Sequence, residues 1–303
     1  NVNFKLQPQC GHEVQSNPVY NSLTRLPMCP VNQQAKADLL VFSDHRPMQL
    51  FALLESVEKK IRGLNQTTVL YRADELKFKN GYSLVKERFP SVHFVEQKNG
   101  PEDFRDLTLQ IVFESSPAPS EYILFAVDDM IVKHPIDISS CIDNLKASKA
   151  HGFYLCHSEQ LDTCSRLSRH QGVPLHSPLT GFSTTAPLFA WQFSAGTDDW
   201  AHPNSLEMVL YCKEVIRDDF HKIDFTSAET LENKWHQRAN KKGVGLFYRE
   251  AKSVNILTNQ VASLTADELL QKFEEGLKID IQPFAELENR SHHITADFTF
   301  ISR

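Results

Sequence analysis

From residue 37 onward the chain alternates between short continuous apolar runs and longer stretches of helical periodicity. Leu39–Phe42 is a run of the first kind, as expected for a strand buried on both faces. A polar turn follows at Ser43–Pro47, and Pro47 suits the first turn of a helix. From Met48 to Ile61, Leu50, Phe51, Leu53, Leu54, Val57 and Ile61 fall at helical spacing, and Gly63 is a natural stop. The unit recurs. TTVLYRADE predicts a second strand with a polar loop at Arg72–Glu75, followed by a helix over Gly81–Arg88. VHFVEQ predicts a third strand and Glu102–Ser115 another helix. After a Pro-rich break at Ser116–Ser120, YILFAV predicts a fourth strand. Strands alternating with helices imply a mostly parallel sheet with right-handed crossovers, and ligands of such sheets sit beyond the carboxyl ends of the strands.

The second half is less regular. His151–Cys156, LFAWQF, VGLFYRE and SVNILTN read as strands, residues 157–185 as loops and Leu206–Ile216 as a helix. Ser227 is placed to cap a further helix. Thr265 and Glu268 form a capping box ahead of the amphipathic LTADELLQKFEEGLKI. The expected organisation is an irregular arm over 1–36, a ligand-binding β/α half over 37–150 and a second half over 151–303 within one α/β domain.

Composition narrows the field. In 303 residues, 41% are hydrophobic and 23% charged, as in ordinary globular chains. A net charge of −6 argues against a nucleic-acid partner. No apolar run is long enough to cross a bilayer. Six scattered Cys with no C-x-x-C pair favour reduced thiols and a cytoplasmic protein. The chain begins at Asn1, so a lost leader and peripheral association with the inner face of a membrane stay open. Only 11 Gly are present, with no G-x-G-x-x-G after the first strand and no P-loop, which disfavours a Rossmann dehydrogenase or a P-loop NTPase.

The chemistry concentrates at Asp128 and Asp129, which directly follow the YILFAV run. Two adjacent carboxylates at the end of a buried strand repel each other and need a compensating cation. Hard oxygen ligands suit Mg2+ or Mn2+. The other predicted strand ends carry Asp44, His45 and Arg46, then Arg72 and Asp74.

In this order, LLVFSDHRPMQLFALLESV, nearly a hundred residues of β/α units and YILFAVDDMIV resemble a glycosyltransferase of the GT-A fold over roughly residues 37–140. Where that family has a DXD motif, this chain has VDD at 127–129. The resemblance implies a UDP- or GDP-sugar donor, a carbohydrate or glycoconjugate acceptor, and a metal held first by Asp129. Asp128 would contact the sugar or ribose. Asp44, Arg46, Arg72, Asp74 and Arg105 would hold the nucleotide, and His292 or His293 would complete the metal shell. An inverting member also needs a carboxylate base. Glu229, in the first turn of a predicted helix, is favoured over Asp198, Asp199, Asp224 and Glu232. Two alternatives remain: a nucleotidyltransferase acting on sugar phosphates, and an inactive carbohydrate-binding scaffold.

Overall fold

A computed structural model of the chain describes residues 35–114, 119–180, 186–257 and 264–303. Of the N-terminal arm expected over 1–36, all but the last two residues lie outside the described residues. So do Cys10, Cys29 and most of the Pro-rich break.

One large sheet organises the chain. Its strands, in chain order, are β1 (Ala37–Asp44), β2 (Leu64–Arg72), β3 (His93–Glu96), β4 (Tyr122–Val127), β5 (Gly152–Tyr154), β6 (His176–Pro178), β7 (Leu188–Gln192), β8 (Val209–Cys212) and β9 (Val244–Tyr248). Their spatial order is β6-β7-β9-β5-β8-β4-β1-β2-β3. The half formed by β4, β1, β2 and β3 is parallel throughout. The other half mixes directions: β8 runs antiparallel to both β4 and β5, while β9 is parallel to β5. This is the layered α/β architecture expected from the sequence.

Helices cover the sheet on both faces: α1 (Pro47–Lys60), α2 (Leu76–Arg88), α3 (Phe104–Leu109), α4 (Ile138–Ser148), α5 (Lys213–Lys222), α6 (Ala228–His236) and α7 (Ala266–Glu274). The sheet divides the interior in two. Along β1, Leu39 and Val41 join the cluster that packs against α1, while Leu40 and Phe42 join the opposite one with α5 and α6. Burial of alternate residues in two separate cores explains why these strands read as unbroken apolar runs. Both capping boxes form, Ser227 with Thr230 on α6 and Thr265 with Glu268 on α7.

Three expectations are corrected. Residues 157–185, expected as loops, contribute strand β6 to the main sheet and the short paired strands Thr163–Cys164 and Arg169–His170. The helix expected over Gly81–Arg88 begins earlier, at Leu76. The helix expected over Leu206–Ile216 is instead strand β8 followed by α5. Leu206, Val209, Leu210 and Ile216 do fall at helical spacing. However, Leu210 lies in one core and Val209 and Tyr211 in the other, the alternation of a central strand. Trp191, Phe193 and Trp200 are fully buried core residues and offer no exposed ring face to a sugar.

Candidate functional site

A cleft of about 470 Å³ opens at the carboxyl ends of β1, β2 and β4. The strand directions explain its contents. Because β1 and β2 are parallel to β4, their terminal residues Asp44 and Arg72 arrive beside Asp128 and Asp129. Because β8 is antiparallel to β4, the residues entering β8, including Glu207, arrive at the same end.

A second, three-stranded sheet completes the site. Met130–Val132 pairs with Ser253–Ile256, which pairs with His293–Ile294. Its register places Asn255 opposite both Met130 and His293. Three segments far apart in sequence thus deliver Asp129, Asn255 and His293 to one place.

Asp128 is buried. Its Oδ2 accepts the Asp44 backbone N–H at 3.0 Å, and its Oδ1 accepts Arg46 Nη1 at 3.3 Å. The same Nη1 donates to Asp129 Oδ2 at 2.9 Å, and Asn255 Nδ2 donates to Asp129 Oδ1 at 3.0 Å. Burial pushes Asp128 up to about 7, against the pull of Arg46. Asp129 is likewise raised by burial. Arg46 starts from a constrained turn. His45, just before it, has φ 56°, a left-handed conformation that costs a non-glycine residue energy, and the Arg46 N–H donates to Tyr82 at 3.3 Å.

On the far wall, His293 Nε2 lies 2.7 Å from Glu207 Oε1, and Asn255 Nδ2 lies 3.5 Å from the same oxygen. Burial would raise Glu207, but the charge of His293 prevails and holds it at about 2. Burial would lower His293, and Glu207 lifts it instead to about 9. The residue after Glu207, Met208, also has a left-handed φ of 52°. Glu232, on α6, accepts Ser205 Oγ at 2.7 Å and the Leu206 N–H at 2.9 Å through one oxygen, Oε1. Burial raises its pKa, and nearby Glu207 raises it further. Among the described residues, Asn255 Oδ1 and His293 Nδ1 are buried without a hydrogen-bond partner.

Of the residues expected from the sequence, Asp44, Arg46, Arg72, Asp128, Asp129, Glu229 and His293 all line the cleft. Asp74 stands at its edge, taking both Arg72 Nε and Nη2, while its N–H donates to His45 Nε2. Arg105 turns away to the carbonyls of Ile223 and His221. His292 is buried behind the cleft wall, 3.1 Å from His157 Nδ1. Glu229 is exposed at the rim. Glu207 and Asn255 were not anticipated. The helical spacing over Leu206–Ile216 conceals that Glu207 enters the sheet at the ligand end.

No family model matches the chain. It is 25% identical over 190 residues to the bifunctional glycosyltransferase pgtA of Dictyostelium discoideum, a match covering 58% of this chain and 24% of that protein. The chain therefore spans about a quarter of the length of the curated relative it matches. Among solved structures, the mannosyltransferase PcManGT from Pyrobaculum calidifontis, in complex with GDP-Man and Mn2+, aligns with a TM-score of 0.41 at 8% identity. That alignment covers 73% of this chain and 58% of that one. The 4-diphosphocytidyl-2C-methyl-D-erythritol synthase of Anaerococcus prevotii aligns with a TM-score of 0.40 at 11% identity, over 78% and 96% of the two chains. In sequence, then, this α/β chain is similar to a glycosyltransferase.

Proposed function

We propose that the chain transfers a sugar from a nucleotide-diphosphate sugar to an acceptor hydroxyl. The observation that carries this reading is the convergence, in one cleft, of a basic pair facing the β1 and β2 ends with a set of separately tuned carboxylates on the far wall. The similarity to a curated glycosyltransferase supports it. The acceptor oxygen would bond to the anomeric carbon as the bond from that carbon to the diphosphate oxygen breaks. The electron pair leaves with the nucleoside diphosphate, and the hydroxyl proton passes to a carboxylate.

Each step has a candidate group on the chain. Arg46 and Arg72 offer positive charge to the diphosphate, and Asp44 and Gln97, at the β1 and β3 ends, offer polar groups to base and ribose. Glu232 and Glu229 lie one helical turn apart on α6, and both line the cleft. Glu232 is the better proton acceptor. It is half-buried, its proton affinity is raised, and among the described residues no hydrogen bond engages its Oε2. Glu207, held ionised by His293, then serves as a fixed negative charge. Neighbouring carboxylates whose environments push their pKa values apart are a common basis for a division of acid–base roles.

The resemblance also implies a divalent cation at Asp128 and Asp129. The residues as arranged do not fit one: all four carboxylate oxygens already accept from protein N–H groups. Nor, among the described residues, is any group of three His, Cys, Asp or Glu side chains arranged to hold a metal. Each step outlined above is therefore assigned to the chain's own residues.

Calorimetric titration with UDP and GDP, with and without Mn2+, followed by transfer assays with the matching sugar nucleotides, tests the proposal. Saturable nucleotide binding that weakens in Arg72→Ala is the expected result. No binding of either nucleotide under any condition would sink it.

A further inference from the structure

We infer that Arg46 occupies the cation position of the Asp128–Asp129 pair and that a divalent metal ion can bind there only by displacing it. The inference itself rests on the geometry of the pair; only its consequence for nucleotide binding rests on the donor site proposed above.

Two adjacent carboxylates at the end of a buried strand require positive charge nearby. Here the requirement is met from within the chain. A single guanidinium nitrogen, Arg46 Nη1, bridges Asp128 Oδ1 and Asp129 Oδ2, while the Asp44 N–H and Asn255 Nδ2 take the other two oxygens. A guanidinium, planar and permanently charged, suits such bridging better than an ammonium. A divalent ion coordinated by Asp129 and Asp128 would need the oxygens that Arg46 holds, and would bring two like charges within a few ångströms of it. The two cations are mutually exclusive at this pair.

Displacement leads somewhere definite. The Arg46 side chain is 24% exposed, so its guanidinium already borders the cleft. Its backbone is fixed by the His45 turn and the Tyr82 contact, so the long side chain can rotate about a stationary origin. The cleft wall carries Asp44, Glu207, Glu229 and Glu232 besides the pair, and the other cationic side chains on it are Arg72 and His293. In a wall so acidic, a released guanidinium would be most stable against the diphosphate of a nucleotide. Metal and nucleotide would therefore each favour the same rotated arginine, and linkage makes that coupling reciprocal.

The test is Mn2+ binding without nucleotide, followed by the electron paramagnetic resonance signal of free Mn2+, on wild type, Arg46→Met and Arg46→Met/Asp129→Asn. Competition predicts that Arg46→Met binds Mn2+ at least about tenfold more tightly than wild type, within the usual range of such couplings. The gain should vanish in the double variant. Unchanged or weaker binding in Arg46→Met, absence of Mn2+ binding in every protein, or a gain that survives in the double variant each overturns the inference. Arg46→Met leaves two carboxylates uncompensated, so it should melt below wild type without metal and recover with Mn2+. If it does not fold even then, Arg46→Lys keeps a charge that cannot bridge in the same way, and a gain of several-fold in Mn2+ affinity is expected instead. No gain in that variant also overturns the inference. Repeating the titrations with UDP should show that wild type binds Mn2+ more tightly with nucleotide present and that Arg46→Met loses most of this coupling. Failure of any nucleotide to bind would count against the donor site while leaving the Mn2+ comparison to decide the role of Arg46.

Discussion

Glu232→Gln separates proton acceptance from architecture. Oε1 of Glu232 accepts from Ser205 Oγ and the Leu206 N–H, and a glutamine oxygen can keep both contacts. The substitution removes the charge-assisted part of two hydrogen bonds, a loss of about 1 kcal/mol, and it also removes repulsion with Glu207. Stability should therefore change by no more than about 1 kcal/mol. The amide cannot take a proton from an acceptor hydroxyl. Loss of a general base typically costs about 10²–10⁴ in rate, or roughly 3–5 kcal/mol of transition-state stabilisation. The assay is turnover of a sugar nucleotide with acceptor, alongside thermal melting of the same samples. Glu229→Gln, at the exposed rim, is the control and should stay within about threefold of wild type, as expected for a surface change. The low-pH limb of the wild-type rate profile should lie above the ordinary 4.5 of a glutamate and disappear in Glu232→Gln. A Glu232→Gln protein that melts normally and transfers sugar within about threefold of wild type would refute the assignment. So would a large loss in Glu229→Gln alone, which would return the role to the residue favoured by sequence.

Other perturbations probe the supports of the cleft. The His293–Glu207 contact predicts a pH signature. The raised His293 contributes stability that is complete below 6.5 and lost as pH climbs through about 9. The depressed Glu207 contributes stability present above 4.5 and lost as pH falls through about 2. Each shift corresponds to about 3 kcal/mol, counted once because one contact produces both. Unfolding midpoints should fall between pH 6.5 and 9 in wild type and flatten in His293→Ala; an unchanged slope there would exclude His293 as the source. Ser227→Ala removes the capping box at the head of α6 and should cost about 1 kcal/mol in denaturant unfolding. Gly245→Ala should cost about 1–3 kcal/mol, because a Cβ on β9 would run into the Trp191 ring; a neutral result would mean that the aromatic core yields there.

What the sequence made legible follows from the range of the interactions involved. The four parallel strands and α1 could be read because two-sided burial and helical spacing are local patterns, visible within a dozen residues. The acid pair was legible for the same reason: a charge ending a buried run is a local anomaly. The far wall was not. Leu206–Ile216 satisfies helical spacing, and only the presence of β4 on one side and β5 on the other makes Val209–Cys212 a strand. That tertiary choice also brings Glu207 to the ligand end. Propensity is a weak prior, and neighbouring strands override it. His293 and Asn255 meet Asp129 through a register spanning more than a hundred residues of chain, which no periodicity can encode.

The cation is the instructive case. Asp128 and Asp129 announced that positive charge was needed, and Arg46 was visible as a polar residue at the end of the first strand. Their direct pairing depends on β1 and β4 lying side by side in register, with Phe42 opposite Val127, so that the next turn brings Arg46 over the pair. A sequence states the charge to be neutralised, but the sheet order decides which cation is within reach. For the same reason, substitutions that shift the β1–β4 register should disturb the acid pair as strongly as substitutions of Arg46 itself.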